Sequence, residues 1–274
     1  MRNFIKTFSI ILSLIILSST SAFAADSYIS LNGFVFDINE DGKAVIHEYD
    51  GSQETVLIPE TLMGAEVAEI DDYAFFQNTV IKNVSFENAS FLKRIGDNAF
   101  YGCENLTKIE LPESLTELSF GAFQNCTGLK EAVLKSGISK IPEQLFLNCV
   151  SLSKVVIPSS VTEISDNAFS GCGNLVIYAH KGSTAYNYAE SGNIPLVIAD
   201  SLLGDVDLDG KVNIRDVTFI QKYKVGKYQI KYTANYTADV NGDGKITVRD
   251  ASILQMYLAK EPVKYDINKK ISLD

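Results

Sequence analysis

Of the 274 residues, only two are histidine, His47 and His180. They do not share a metal-binding spacing such as HExxH, so a histidine-held catalytic metal has no sequence support. Basic residues are also short: 24 Lys and Arg stand against 34 Asp and Glu, a formal net charge of −10. That lacks the basic footprint of a nucleic-acid binder, and none is expected as a partner. No glycine-rich phosphate loop is present, and no pair of carboxylates or Ser-His-Asp set stands out. Long apolar runs are missing apart from one near the start, Phe8 to Leu17. It is shorter than the ~20 residues of a membrane helix, so an integral membrane protein is not expected. Arg2 and Lys6 precede it, and Ala22-Phe23-Ala24 follows as a small-x-small site. This pattern predicts a secretory signal peptide, residues 1–24, and an extracellular protein.

The four cysteines do not read as a disulfide framework. Cys103, Cys126, Cys149 and Cys172 recur every 23 residues, the same place in a repeat. Stacking the chain at that period aligns columns. Ile70, Ile95, Leu118, Ile141 and Ile164 form one; Phe75, Phe100, Phe123, Phe146 and Phe169 a second; Leu106, Leu129, Leu152 and Leu175 a third. Asn78 takes the cysteine position in the earliest copy. One such unit is too short to enclose a core, whereas stacked units bury the columns as ladders. LTKIELP, with Leu106, Ile109 and Leu111, predicts a short strand, and AFYGC a tight helical turn. Equivalent side chains in a parallel stack point the same way, so the cysteines are expected to be reduced and buried. Residues 25–56 alternate apolar and polar around Glu40-Asp41-Gly42 and predict a β-hairpin cap.

The AFxxCxxL core and the IPSSVTEI segment ending at Ile164 resemble the BspA-like leucine-rich repeat family. That resemblance implies an α/β solenoid of five ~23-residue repeats over residues 57–198. Tyr186, Tyr188 and Ala189 fit its closing cap, a short helix before a last strand. The family is a scaffold for varied binding surfaces and does not itself name a ligand; a protein or a glycan remains open.

After a linker at 199–204, DVDLDGKVNIRD begins at Asp205, and DVNGDGKITVRD follows at Asp239, identical at seven of twelve positions. A twelve-residue calcium loop needs oxygen at positions 1, 3, 5, 7, 9 and 12 and glycine at 6. Loop one offers Asp205, Asp207, Asp209, the Lys211 carbonyl, Asn213 and Asp216, with Gly210 at the turn. Loop two offers Asp239, Asn241, Asp243, the Lys245 carbonyl, Thr247 and Asp250, with Gly244. Position 12 is aspartate, shorter than the usual glutamate. Two calcium ions are expected, with loop one, which has four aspartates to three, the tighter site. A helix is expected after each loop, but no clear one before it.

This duplicated half-EF-hand (F-hand) resembles the type I dockerin family and implies a small all-α module over residues 205–262, with 263–274 as a tail. It further implies a cohesin partner on a scaffoldin of a cellulosome-like complex. The family's contact positions fall on Ile214, Arg215, Thr218, Gln221 and Lys222, and on Val248, Arg249, Ser252, Gln255 and Met256. Their near-identity suggests two binding modes related by a half-turn. Many dockerins carry a Ser-Thr type pair where this chain has Ile-Arg and Val-Arg. With no catalytic set in view, the expected function is a non-catalytic binding module; an accessory enzyme or enzyme regulator, or an adhesin, is the alternative.

Overall fold

The computed structural model describes residues 28–199, 201–230 and 234–270; the expected signal peptide lies outside them. Strands β1 (Ile29–Leu31), β2 (Phe34–Ile38) and β3 (Ala44–Tyr49) begin the fold. The β2–β3 pair is an antiparallel hairpin. Asn39 Oδ1 accepts from the Asp41 and Lys43 amides at 3.1 and 2.9 Å, which closes its turn. The solenoid follows as β4 (Thr55–Leu57), β5 (Thr61–Leu62), β6 (Ala65–Ile70), β7 (Asn83–Ser85), β8 (Arg94–Ile95), β9 (Lys108–Glu110), β10 (Glu117–Leu118), β11 (Glu131–Val133), β12 (Lys140–Ile141), β13 (Lys154–Val156), β14 (Glu163–Ile164) and β15 (Ile177–Ala179). Helix α1 (Thr184–Gly192) and β16 (Leu196–Ile198) close it.

Each repeat contributes two strands, and they form two seven-stranded sheets and a two-stranded one, β12-β14. One runs β4-β7-β9-β11-β13-β15-β16, parallel throughout. The other extends the hairpin through β6, β8 and β10. The seven-stranded ladder thus runs past the five aligned copies at both ends, because cap residues add strands whose sequences break the 23-residue pattern.

The columns interlock as expected. Phe75, Phe100, Phe123, Phe146 and Phe169 stack with centroids 4.5 to 5.7 Å apart and planes within 15°. Tyr49 continues the stack from the hairpin at 5.3 Å, and Tyr188 of α1 meets its far end at 5.9 Å. The tight turns bond to the next repeat: the Phe100 amide donates to the Ala122 carbonyl at 2.8 Å and the Phe146 amide to the Ala168 carbonyl at 2.8 Å. Stacking thus satisfies turn backbone that bonds within the repeat, such as Tyr101 amide to Asn98 carbonyl, leave over.

The cysteines are free and buried. Each Sγ donates across the repeat boundary to a phenylalanine carbonyl, Cys126 to Phe100 and Cys149 to Phe123 at 3.1 Å. Burial raises the Cys126 thiol well above its ordinary value, and pushes Cys172 up to about 12. Asn78 makes two local bonds instead, accepting from the Val80 and Ile81 amides.

A second core gathers Val206, Val217, Ile220, Ala238, Val240, Leu254 and Ile267 between α2 (Ile214–Lys224), α3 (Asn235–Ala238) and α4 (Val248–Leu258). Part of the segment expected as a tail, up to residue 270, packs on the module. Ile267 enters this core, and Lys270 bridges back to Leu202. A module this small has few apolar residues to spare, so its chain ends are recruited. Among the described residues, no helix is long and apolar enough to cross a membrane.

Candidate calcium loops and partner face

The two loops are built alike. In loop one, Asp205 accepts from the Asp209 amide at 3.1 Å and the Gly210 amide at 2.8 Å, one on each carboxylate oxygen. In loop two, Asp239 accepts from Asp243 at 3.2 Å and Gly244 at 2.7 Å. Gly210 and Gly244 have φ of +85° and +80°, the left-handed turn that position 6 requires. Carboxylate oxygens of Asp205, Asp207 and Asp209 lie within 4.8 Å of one another. Oxygens so clustered suit a hard cation of six to eight oxygen ligands. Burial raises the Asp205, Asp216 and Asp239 carboxyls above their ordinary values; a bound cation would offset that cost.

The closing aspartates have a second role that sequence reasoning missed. Asp216 is fully buried. Its Oδ1 accepts from the Val206 amide at 2.7 Å, and its Oδ2 from the Asn213 amide at 2.8 Å. Asn213 is the N-cap of α2 and Asp216 its N3, a reciprocal capping box. Thr247 and Asp250 repeat it at α4, with the Thr247 amide 2.8 Å from Asp250 Oδ2. Loop positions 9 and 12 are therefore the two members of the box, a signal present in the spacing N-x-x-D and T-x-x-D.

All ten contact residues carried over from the dockerin resemblance sit on α2 and α4, and each is exposed or half-buried. Ile214 and Val248, both more than 60% exposed, are the first helical residues after the caps. Thr218 and Ser252 hydroxyls donate to the Ile214 and Val248 carbonyls. Arg215 reaches back over loop one, 3.4 Å from Asp207 and 3.8 Å from Asp209.

On the solenoid, acids and bases pair along the seven-stranded sheet: Lys154 and Lys108 flank Glu131 at 3.0 and 3.7 Å, and Lys135 meets Glu110 at 3.0 Å. His47 is bracketed by Asp71 at 2.8 Å and Asp37 at 3.2 Å. His180 lies beside loop one, in a 370 Å³ cleft with Ala199, Asp205 and Gly210.

Two family models match. The BspA type leucine rich repeat region covers residues 49–176 in six copies, and the type I dockerin domain covers residues 203–259. No curated protein matches. Among solved structures, a leucine-rich repeat protein of Treponema pallidum is 31% identical, with a TM-score of 0.51 over 56% of this chain and 71% of that one. A leucine-rich repeat protein of Eubacterium ventriosum is 25% identical (TM-score 0.47, 55% of this chain and 38% of that one). A leucine-rich cell-surface protein of Faecalibacterium prausnitzii is 24% identical (TM-score 0.40, 57% and 56%). The matched families are binding or assembly modules, and dockerin domains bind calcium and cohesins.

Proposed function

Because the chain belongs to the BspA-type leucine-rich repeat family and carries a C-terminal type I dockerin domain, we propose that it is a secreted, non-catalytic binding module. It plugs into a cohesin of a scaffoldin in a cellulosome-like complex. The dockerin, residues 205–262 with the segment that follows, takes two calcium ions, held by the oxygen set of each loop named above. The solenoid, residues 57–198 with its hairpin cap, presents a surface for a protein or glycan.

One observation carries the docking half. Each calcium loop ends in a capping box, and the two residues inside it, Ile214-Arg215 and Val248-Arg249, stand exposed on the first turn of the helix. A metal that orders the loop thereby orders the docking residues. The two faces are close copies, so either can engage. Capture of the full chain by immobilised cohesins, with calcium and with a chelator, tests this. Binding should require calcium; Arg215→Ala alone should weaken it little, and Arg215→Ala with Arg249→Ala strongly. Capture unaffected by chelation would refute the docking reading. A large loss from the first substitution alone would refute the two-faced one.

A further inference from the structure

Position 4 differs between the loops. Loop two has Gly242 at φ +69°, an ordinary place for glycine. Loop one has Leu208 at φ +58°. A leucine in the left-handed region is strained, and such strain persists only where surrounding contacts hold it. Those contacts come from two sides: Leu208 packs against the solenoid core and also against the dockerin core. Its carbonyl accepts from Lys181 Nζ of the last repeat at 3.4 Å.

Other contacts join the same two bodies. Tyr178 of β15 lies edge-on to Tyr236 of α3, ring centroids 5.9 Å apart, with Lys154 Nζ 5.3 Å from the Tyr178 ring centre. Burial, then the neighbouring Tyr236, raises the Tyr178 hydroxyl above its ordinary value. The cleft between loop one and the solenoid is lined by Lys181, Ile198, Ala199 and Ser201 on one side and Asp205 and Leu208 on the other. Asp205 is 2% exposed, while its counterpart Asp239, away from this cleft, is only half-buried.

We propose that loop one is a latch: with calcium bound, it seats Leu208 on the solenoid's closing cap and fixes the dockerin against the repeats. This rests on the dockerin reading above. Leu208 stands between Asp207 and Asp209, ligand positions 3 and 5. The left-handed turn at Leu208 is part of the path that brings those two carboxylates together. Without a cation, their mutual repulsion favours an open loop, and opening withdraws Leu208 from the cap. Linkage is reciprocal, so what calcium does for the cap, the cap does for calcium at loop one. Loop two, with glycine at position 4, has no latch and is free to respond to calcium alone. The two loops therefore divide the work: both order a docking helix, and one of them also sets the orientation of the anchor relative to its cargo.

Amide hydrogen exchange on the full chain, with calcium and with a chelator, tests the latch. Two sets of amides are read. In the cap, Ala199 donates to Ala179 at 2.9 Å and Ser183 to His180 at 3.1 Å. In the loop, Asp209 and Gly210 donate to Asp205. In the natural chain, calcium should slow both sets, the cap by about tenfold, within the range of ordinary site-to-site coupling. Leu208→Gly copies the residue of loop two and relieves the strain, so the fold is kept. In it, calcium should still slow the loop amides while the cap no longer responds. The latch is overturned if the cap ignores calcium in the natural chain, or responds equally in Leu208→Gly, while the loop amides are slowed; the dockerin reading then stands. If calcium slows neither set, that reading falls and the latch with it.

Discussion

Replacing Asp216 by alanine, set against the same change at Asp243, separates the backbone bonds of the closing aspartate from its proposed part in holding calcium. Its carboxylate satisfies the Val206 and Asn213 amides at 2.7 and 2.8 Å, with a longer bond from Asp207 at 3.4 Å. Two short donors stranded beside a fully buried site cost about 1–3 kcal/mol each, roughly 2–6 kcal/mol together. A module of this size has a total stability of only about 3–9 kcal/mol, at ~0.05–0.15 kcal/mol per residue. Calcium at a thousand times its dissociation constant returns about 4 kcal/mol per site, but Asp216→Ala also removes one of the proposed ligands. Raising calcium should therefore fail to rescue Asp216→Ala. Asp243→Ala is the contrast. Its side chain is exposed and, among the described residues, accepts one bond, from the Lys245 amide at 3.0 Å, so it should weaken calcium binding yet fold once calcium is raised. Urea titrations followed by circular dichroism of α2 and α4, in chelator and in a calcium series, read both. Recovery of Asp216→Ala to within about 1 kcal/mol of the natural chain would show that its backbone bonds carry little of the fold, and would refute the reasoning.

In the solenoid, Phe123→Ala should cost about 3–5 kcal/mol, since its ring is fully buried mid-ladder. Phe169→Ala, nearer the end, should cost less; equal losses in urea melts would contradict a stacked ladder. The thiols should resist a disulfide reagent near neutral pH and all four react in denaturant, because burial raises Cys126 and Cys172 and disfavours the thiolate. Calorimetric titration should find loop one the tighter site, weakened by Asp205→Ala, with Asp239→Ala affecting the weaker one. The reverse order would show that charge count does not decide the affinity.

The repeat period exposed the phenylalanine ladder because every copy has the same neighbours. The ladder's ends were not legible: Tyr49 and Tyr188 lie outside the five aligned copies, and only the folded chain brings them to Phe75 and Phe169. The matching build of the two loops was legible because their spacing is local, and Asp205 and Asp239 make the same pair of bonds in each. Ile267 was not, since its burial depends on contacts with residues far away in the chain. Leu208 lay in plain view as the mismatch with Gly242, but its reason is the solenoid surface it meets.

The aspartate at position 12 also looks different once the helix is in place. Read as a metal ligand alone, it is a short substitute for glutamate. Read as the N3 residue of α2, it has to reach back to the Asn213 amide and across to Val206, and it does so at 2.8 and 2.7 Å. Asp250 meets the same demand, bonding Thr247 at 2.8 Å and Asn241 at 3.2 Å. One side chain thus ties the start of the loop, the end of the loop and the start of the helix into a single unit. The loop cannot open at position 9 or 12 without uncapping the helix whose first two residues are Ile214 and Arg215, or Val248 and Arg249. The calcium-dependent partner face proposed above requires only that mechanical tie. Arg215 adds its own contacts to Asp207 and Asp209 at 3.4 and 3.8 Å, but the tie through the capping box acts without them.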